Sequence, residues 1–306
     1  MLVNIPMYSR RAYRSSAGWR DNDTMLWTTY TEKELVHDFH NLSKHTALIV
    51  NESSGPQCGH CEIIPRGGYK IANAFFQFER LATNTDSNVS FVDFFYARAW
   101  NEDSVQPVDF VIKTYTHPPA QFPASLARAC FLHFGATTVL DPFAGWGNRL
   151  LAAASCGIEY IGCEQNIHLE SAYTDLIAFM KEKGLLKTPA KVYSGRCEEV
   201  LNLDALDFDL VFSSPPFFKR GRLYEKYNGC EQNWEAFLTN CLLPLTQACL
   251  KKGVTVCWHL FEEMAMDLSN VLGTFPYKRF TFDRGFRRKA HNKIECVYCW
   301  KAAPQE

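Results

Sequence analysis

The sequence predicts an α/β protein with a doubly wound, mostly parallel sheet and an antiparallel edge. Three observations carry this. From about residue 110 onward, short apolar strands alternate with helical stretches. Two of those strands end in an acid, Asp141 and Glu164. The last two strand-like segments follow each other with only a basic loop between them, the pattern of an antiparallel pair.

Taken in order, Thr31 followed by Glu34 has the form of a capping box. Leu35, Val36, Phe39 and Leu42 recur at helical spacing, so a helix is predicted over 32–44. Residues 51–68, with their Ser, Gly and Pro, read as a loop. Aromatic pieces around Phe75, Phe76 and Phe78 and around Phe91, Phe94, Phe95 and Tyr96 fit either strands or buried helix. A helix fits 123–134 and a short strand 138–141; Gly145 and Gly147 then open a helix through Ala154. A strand at 160–164 leads to a helix over 167–183. The strand at 208–212 is closed by Ser214-Pro215-Pro216-Phe217. A helix over 234–250, a strand over 254–260 and a helix near 261–272 precede the late strands at 277–282 and 294–300.

The balance of 47% hydrophobic and 21% charged residues in 306 excludes a disordered or fibrous chain. Formal net charge is −1, so any electrostatic claim on nucleic acid or membrane must be local. Residues 1–110 carry a net −3, whereas 276–301 carry a net +6. No signal peptide pattern and no apolar run of about 18 residues occur. An intracellular soluble protein with no membrane partner is therefore expected. Of the 12 cysteines, Cys156, Cys163, Cys241, Cys249 and Cys257 sit in apolar runs and read as reduced core thiols. Cys58 with Cys61, and Cys296 with Cys299, have metal-type spacing. The second pair falls in a strand, where positions i and i+3 face opposite sides, so no metal is expected.

Two ends of the sheet carry chemistry. In Asp141-Pro-Phe143-Ala144-Gly145-Trp146-Gly147-Asn148, a strand meets a glycine turn and a helix start, where backbone approaches a ligand closely. Glu164 lies 23 residues after Asp141, at the end of the next strand, where a carboxylate accepts ribose hydroxyls. Arg149 and Leu150 follow where a dinucleotide fingerprint wants a third glycine, which disfavours NAD. At the other end, Pro215 and Pro216 lack N–H groups, so nearby carbonyls point outward as acceptors. The Ser214 hydroxyl adds another acceptor and Phe217 a stacking face. This set suits the exocyclic amine of a base rather than a carboxylate or phosphate.

Asp141-Pro-Phe-Ala-Gly-Trp-Gly and Ser214-Pro-Pro-Phe resemble motifs I and IV of the S-adenosylmethionine-dependent amino-methyltransferases of nucleic acids, the N4-cytosine and N6-adenine group. His117-Pro118, Phe122-Pro123 and Leu126 resemble that family's motif X. The resemblance spans about residues 112–302. It implies a Rossmann-like class I methyltransferase fold with a seven-stranded sheet, and S-adenosylmethionine as cofactor. It also implies that His117, Pro118, Asp141, Phe143, Ala144, Gly145, Gly147 and Glu164 line the cofactor. Ser214, Pro215, Pro216 and Phe217 would hold a flipped base for direct attack on the methyl group. No Pro-Cys dipeptide occurs, which removes carbon-5 cytosine chemistry. Ser-Pro-Pro-Phe leans to cytosine N4 in DNA, with adenine N6 in DNA or RNA as the alternative. Protein glutamine methylation, which pairs with Asn-Pro-Pro-Tyr, is disfavoured by Ser214. A catalytically inactive nucleic-acid-binding subunit ranks last because both motifs are intact.

The chain departs from the pattern at Arg196 and Cys197, which stand where the family often has Asp and a small residue. Cys197 or nearby backbone would then serve the cofactor's adenine. Trp146 and Asn148 also differ from the common form. Only 66 residues separate Gly147 from Ser214 and few follow the last strand, so no recognition domain fits there. The expected organisation is an N-terminal extension over 1–110, serving target recognition or covering the sheet, and a catalytic domain over 111–306. Lys219, Arg220 and Arg222, and Arg284, Arg287, Arg288, Lys289 and Lys293, are candidate phosphate contacts beside the sheet ends.

Overall fold

A computed structural model describes residues 30–44, 48–50, 58–61, 67–82, 100–101, 104–105, 122–216, 233–282 and 295–301. The first helix, α1 (Glu32–Lys44), begins where the capping box is placed. The Thr31 backbone N–H donates to Glu34 Oε2 at 3.0 Å, and the Glu34 N–H donates back to Thr31 Oγ1 at 3.3 Å. Leu35, Phe39 and Leu42 form its buried stripe.

The aromatic segment after residue 68 is helical: α2 spans Tyr69–Ala82. Its start is capped from α1, because Asp38 accepts the Lys70 and Ile71 N–H groups at 2.7 and 3.1 Å. Burial raises the Asp38 pKa, and those two amides work against the rise. Gly67 makes the approach possible, since a Cβ there would lie 2.2 Å from the Leu42 nitrogen.

Two short strands, β1 (Leu48–Val50) and β2 (Cys58–Cys61), pair antiparallel. The second corrects the loop expected over 51–68; four residues with no apolar alternation give no strand signal. A separate two-stranded ladder joins β3 (Trp100–Asn101) to β4 (Ser104–Val105).

From residue 122 the elements follow the expected alternation, with a strand and a short helix added between residues 190 and 200. Helix α3 (Ala124–Phe134) ends at Gly135 in the left-handed conformation. Strand β5 (Thr138–Asp141) feeds α4 (Asn148–Cys156), and β6 (Glu159–Glu164) feeds α5 (Glu170–Glu182). Strand β7 (Ala190–Ser194) precedes the short α6 (Cys197–Val200). After β8 (Leu210–Ser213), α7 (Trp234–Phe237) runs through a π turn at Leu238–Leu242 into α8 (Leu243–Lys251). Strand β9 (Thr255–Phe261), α9 (Glu262–Leu272), β10 (Lys278–Phe282) and β11 (Glu295–Trp300) complete the described chain.

The main sheet has nine strands in the order β1-β2-β10-β11-β9-β8-β5-β6-β7. Counted alone from β5 on, its seven strands have the order of Rossmann-like class I methyltransferases, with the last inserted antiparallel between the fifth and sixth. The N-terminal strands lengthen this sheet, β2 lying parallel to β10. One face packs on α1 to α5, with Val139, Phe212, Cys257 and Cys299 in that core. The other packs on α7 to α9, with Leu140, Val211, Trp258 and Cys296. Cys296 and Cys299 therefore lie on opposite faces, as the strand reading required, and Cys299 sits 3.1 Å from Cys257. Among the described residues, no helix is long and apolar enough to cross a membrane.

Candidate functional site

The direction in which successive strands are added to the sheet reverses between the parallel neighbours β5 and β8. From β5 the chain winds outward through β6 and β7, then returns to place β8 on the other side. Open α/β sheets bind ligands in the crevice beyond the strand ends at such a switch point. Asp141, Ser213 and Ser214 all stand there, and Glu164 ends the adjacent β6.

Asp141 is fully buried. Its Oδ1 accepts from Ser213 Oγ at 2.5 Å. Its Oδ2 accepts from Arg149 Nε at 2.7 Å and Tyr160 Oη at 2.5 Å. Ser213 Oγ also accepts the Phe143 N–H at 3.1 Å, so one carboxylate ties β5 to β8 and to the loop. Arg149 adds a bond to the Phe143 carbonyl and lies over the Phe122 ring at 5.1 Å. Burial opposes the guanidinium charge, yet Asp141 raises the Arg149 pKa above its ordinary value. Asp141 thus stands behind the loop rather than on its surface, and its donors come from the protein itself.

Glu164 is placed differently. Its Oε2 accepts the Gly145 N–H at 2.7 Å and its Oε1 the Asn166 N–H at 2.9 Å. Burial pushes its pKa up to about 7 against the pull of these two amides. Unlike Asp141, it is only partly covered, and each oxygen keeps acceptor capacity for a ligand.

Four N–H groups of the loop after β5 are satisfied from within. Tyr173 Oη accepts the Gly147 N–H at 3.1 Å and donates to the Gly145 carbonyl at 2.8 Å. The Ala144 N–H donates to the Cys163 carbonyl at 2.8 Å. A phosphate at a helix start needs backbone N–H groups aimed at it. Here those of Phe143, Ala144, Gly145 and Gly147 are already taken, and a carboxylate stands beside them. The donor set fits a ligand that brings its own hydroxyl and ammonium donors and carries no phosphate. A sulfonium-linked nucleoside meets that description and a dinucleotide does not.

Gly147 has φ +72°, and a Cβ there would lie 2.6 Å from Phe76 Cε2. Phe76 belongs to α2 and packs edge-on against Tyr173 and Trp146. The N-terminal region therefore braces the glycine loop directly, a role that its sequence did not announce.

At the chemical end, Ser214 follows β8 and its Oγ lies 2.9 Å from His259 Nδ1. His259 is 1% exposed on β9, one residue beyond Trp258, the register partner of Ser213. A histidine inside an apolar run reads as core in sequence, so this contact was missed. Pro215 is buried and Pro216 partly so.

Cys197 is buried, with its thiol 3.6 Å from Cys241 and 3.4 Å from Glu198 Oε2. The Cys241 contact and burial raise its pKa, so the thiol stays protonated. Gly195 N–H donates to the Glu164 carbonyl at 2.9 Å, which holds this loop against the end of β6. Arg196, at the family's Asp position, pairs instead with Glu198 at 2.5 Å. His117, Pro118, Phe217, Lys219, Arg220, Arg222, Arg284, Arg287, Arg288, Lys289 and Lys293 lie outside the described residues.

No protein-family profile and no curated protein matches this chain. Among solved structures it is similar to the N-terminal domain of human METTL16 in complex with SAH, at 12% identity and TM-score 0.40, covering 96% of this chain and 98% of that one. It is also similar to an RNA methyltransferase from Salinibacter ruber in complex with S-adenosyl-L-homocysteine, at 14% identity and TM-score 0.35, covering 61% and 96%. A third is TrmN from Thermus thermophilus, at 15% identity and TM-score 0.35, covering 66% of this chain and 55% of that one. The fold class rests on the strand order itself.

Proposed function

We propose that the protein transfers a methyl group from S-adenosylmethionine to the exocyclic amine of a nucleic-acid base, N4 of cytosine ahead of N6 of adenine. The observation that carries this reading is the position of Ser214-Pro215-Pro216. An acceptor cluster stands at the switch point, across β5 from a ribose-type carboxylate and a loop unsuited to phosphate. The motif resemblance favours DNA, and RNA presents the same amine.

Glu164 would accept the ribose hydroxyls, and the Gly145–Gly147 backbone would pass close beneath the cofactor. When bound, S-adenosylmethionine supplies an electrophilic methyl on a sulfonium. Ser214 Oγ and the Pro215 carbonyl would accept the two amine N–H bonds and aim the nitrogen lone pair at that methyl. Phe217 would stack the flipped ring. Catalysis is then positioning plus stabilisation of charge developing on nitrogen. Lys219, Arg220 and Arg222, and Arg284, Arg287, Arg288, Lys289 and Lys293, would neutralise phosphates.

The test incubates the protein with labelled S-adenosylmethionine and single-stranded DNA, duplex DNA or RNA, then identifies nucleosides by mass spectrometry. The expected product is N4-methylcytidine in deoxy or ribo form, with Ser214→Ala losing roughly 100-fold or more in rate. N6-methyladenosine would move the base assignment to the alternative. Cofactor binding with no label in any nucleoside would overturn the proposal.

A further inference from the structure

The amine nitrogen must lose a proton once it is methylated, and Ser214 alone is a poor destination. A neutral hydroxyl accepts a hydrogen bond readily but does not keep a proton near neutral pH. Among the described residues, Ser214 Oγ has one hydrogen-bond partner, His259 Nδ1 at 2.9 Å. The imidazole is held from several sides. It is 1% exposed, and its ring meets Phe122 edge-on at 5.2 Å. Phe122 in turn lies under the Arg149 guanidinium and against Phe212 of β8. Asp141, at the end of the adjacent β5, is committed to Ser213, Arg149 and Tyr160.

We propose that His259, acting through Ser214, is the proton acceptor for methyl transfer, an assignment that rests on the function proposed above. The resting imidazole carries its proton on Nε2 and accepts the serine hydroxyl at Nδ1. This orientation turns the Ser214 lone pairs toward the incoming amine. The amine lone pair forms the new N–C bond while the C–S bond breaks and leaves its electron pair on sulfur. The surplus proton on nitrogen passes to Ser214 Oγ as the serine's own proton passes to His259 Nδ1. The methylated amine ends neutral and the serine is unchanged; once the product has left, the imidazolium returns its Nδ1 proton to solvent through the partly exposed Ser214 hydroxyl. A histidine behind the hydroxyl gives the Ser-Pro-Pro motif a proton sink that the tripeptide itself lacks.

The decisive variants are His259→Asn and His259→Ala. Asparagine can accept the serine hydroxyl through its amide oxygen but cannot take up a proton, so it separates orientation from proton transfer. Single-turnover methylation by His259→Asn is expected to fall about 100-fold, with oligonucleotide KM and S-adenosylhomocysteine Kd within about twofold of wild type. Independently of activity, imidazole 15N spectra of the wild type should show one histidine whose Nδ1 signal moves in Ser214→Ala. Wild-type rates in His259→Asn, with His259→Ala slow or fast, overturn the relay. The absence of a Ser214-dependent Nδ1 signal overturns the hydrogen bond on which it stands. A wild-type protein that methylates no base overturns the functional reading first, whereas an active wild type with an equally active His259→Asn overturns the relay alone.

Discussion

Asp141 and Glu164 end adjacent parallel strands and look alike in the sequence, but their surroundings give them opposite work. Asp141 has no exposure and takes side-chain donors from Arg149, Tyr160 and Ser213. Glu164 stands two residues beyond Gly162, the register partner of Asp141, and takes only backbone donors from Gly145 and Asn166. That small advance along the strand carries a carboxylate from the core to the rim. The first acid holds three segments together, and the second stands partly exposed at the strand end. A shared residue type at a shared strand position is thus not a shared role; the count and kind of donors decide it.

Removing the buried charge should have the largest effect. Asp141→Asn keeps the shape but leaves Arg149 as an unpaired buried cation, and about 3–5 kcal/mol of stability should be lost. Urea unfolding monitored by tryptophan fluorescence measures it. A loss below about 1 kcal/mol would mean that the pair does not hold these segments together. Glu164→Ala should invert the pattern, with S-adenosylhomocysteine binding weakened roughly 10–100-fold and stability nearly retained, as expected for charge-assisted bonds to a ligand. Equal damage by both variants to both properties would dissolve the contrast.

The loop between the acids offers a smaller perturbation. Gly147→Ala places a methyl against Phe76 at positive φ, and about 1–3 kcal/mol of destabilisation is expected. Shrinking the obstacle with Phe76→Leu in the same chain should return part of that loss. Additive losses would show that Phe76 does not press on the loop.

Much of this architecture is legible in the sequence, for physical reasons. The capping box at Thr31 and Glu34 is a local reciprocal contact, so pattern and structure coincide. Buried parallel strands such as β8 and β9 are continuous apolar runs, and the proline pair after β8 marks its end without ambiguity. Strand β7 is the edge of the sheet with half-exposed residues on both faces, so it shows no such run. Strand β2 lies between β1 and β10, the latter more than 200 residues away, and nothing in Cys-Gly-His-Cys itself asks for a strand. The site divides in the same way. Residue types at the two strand ends are visible, but direction is not. In sequence Arg149 is only a departure from the dinucleotide fingerprint and His259 part of an apolar strand, and the fold turns one toward Asp141 and the other toward Ser214.

Proton linkage separates the two acids with the finest resolution. The folded-state pKa of Glu164 is raised to about 7, so its protonated form is favoured in the fold. Its contribution to stability is present below the ordinary carboxylate range and lost as pH rises through about 7. Glu164→Gln should therefore be the more stable protein above that pH. Under the proposed function ligand binding runs the other way, because the ionised carboxylate is the stronger acceptor for ribose hydroxyls.

Calorimetric titration of S-adenosylhomocysteine into wild type and Glu164→Gln, at about pH 6 and about pH 8, tests the division most directly. Wild-type affinity is expected to tighten about tenfold between those pH values, while the variant binds weakly and without pH dependence. A pH-independent wild type, or a variant that binds as tightly as wild type, would contradict the assignment of Glu164 as the carboxylate that receives the ligand.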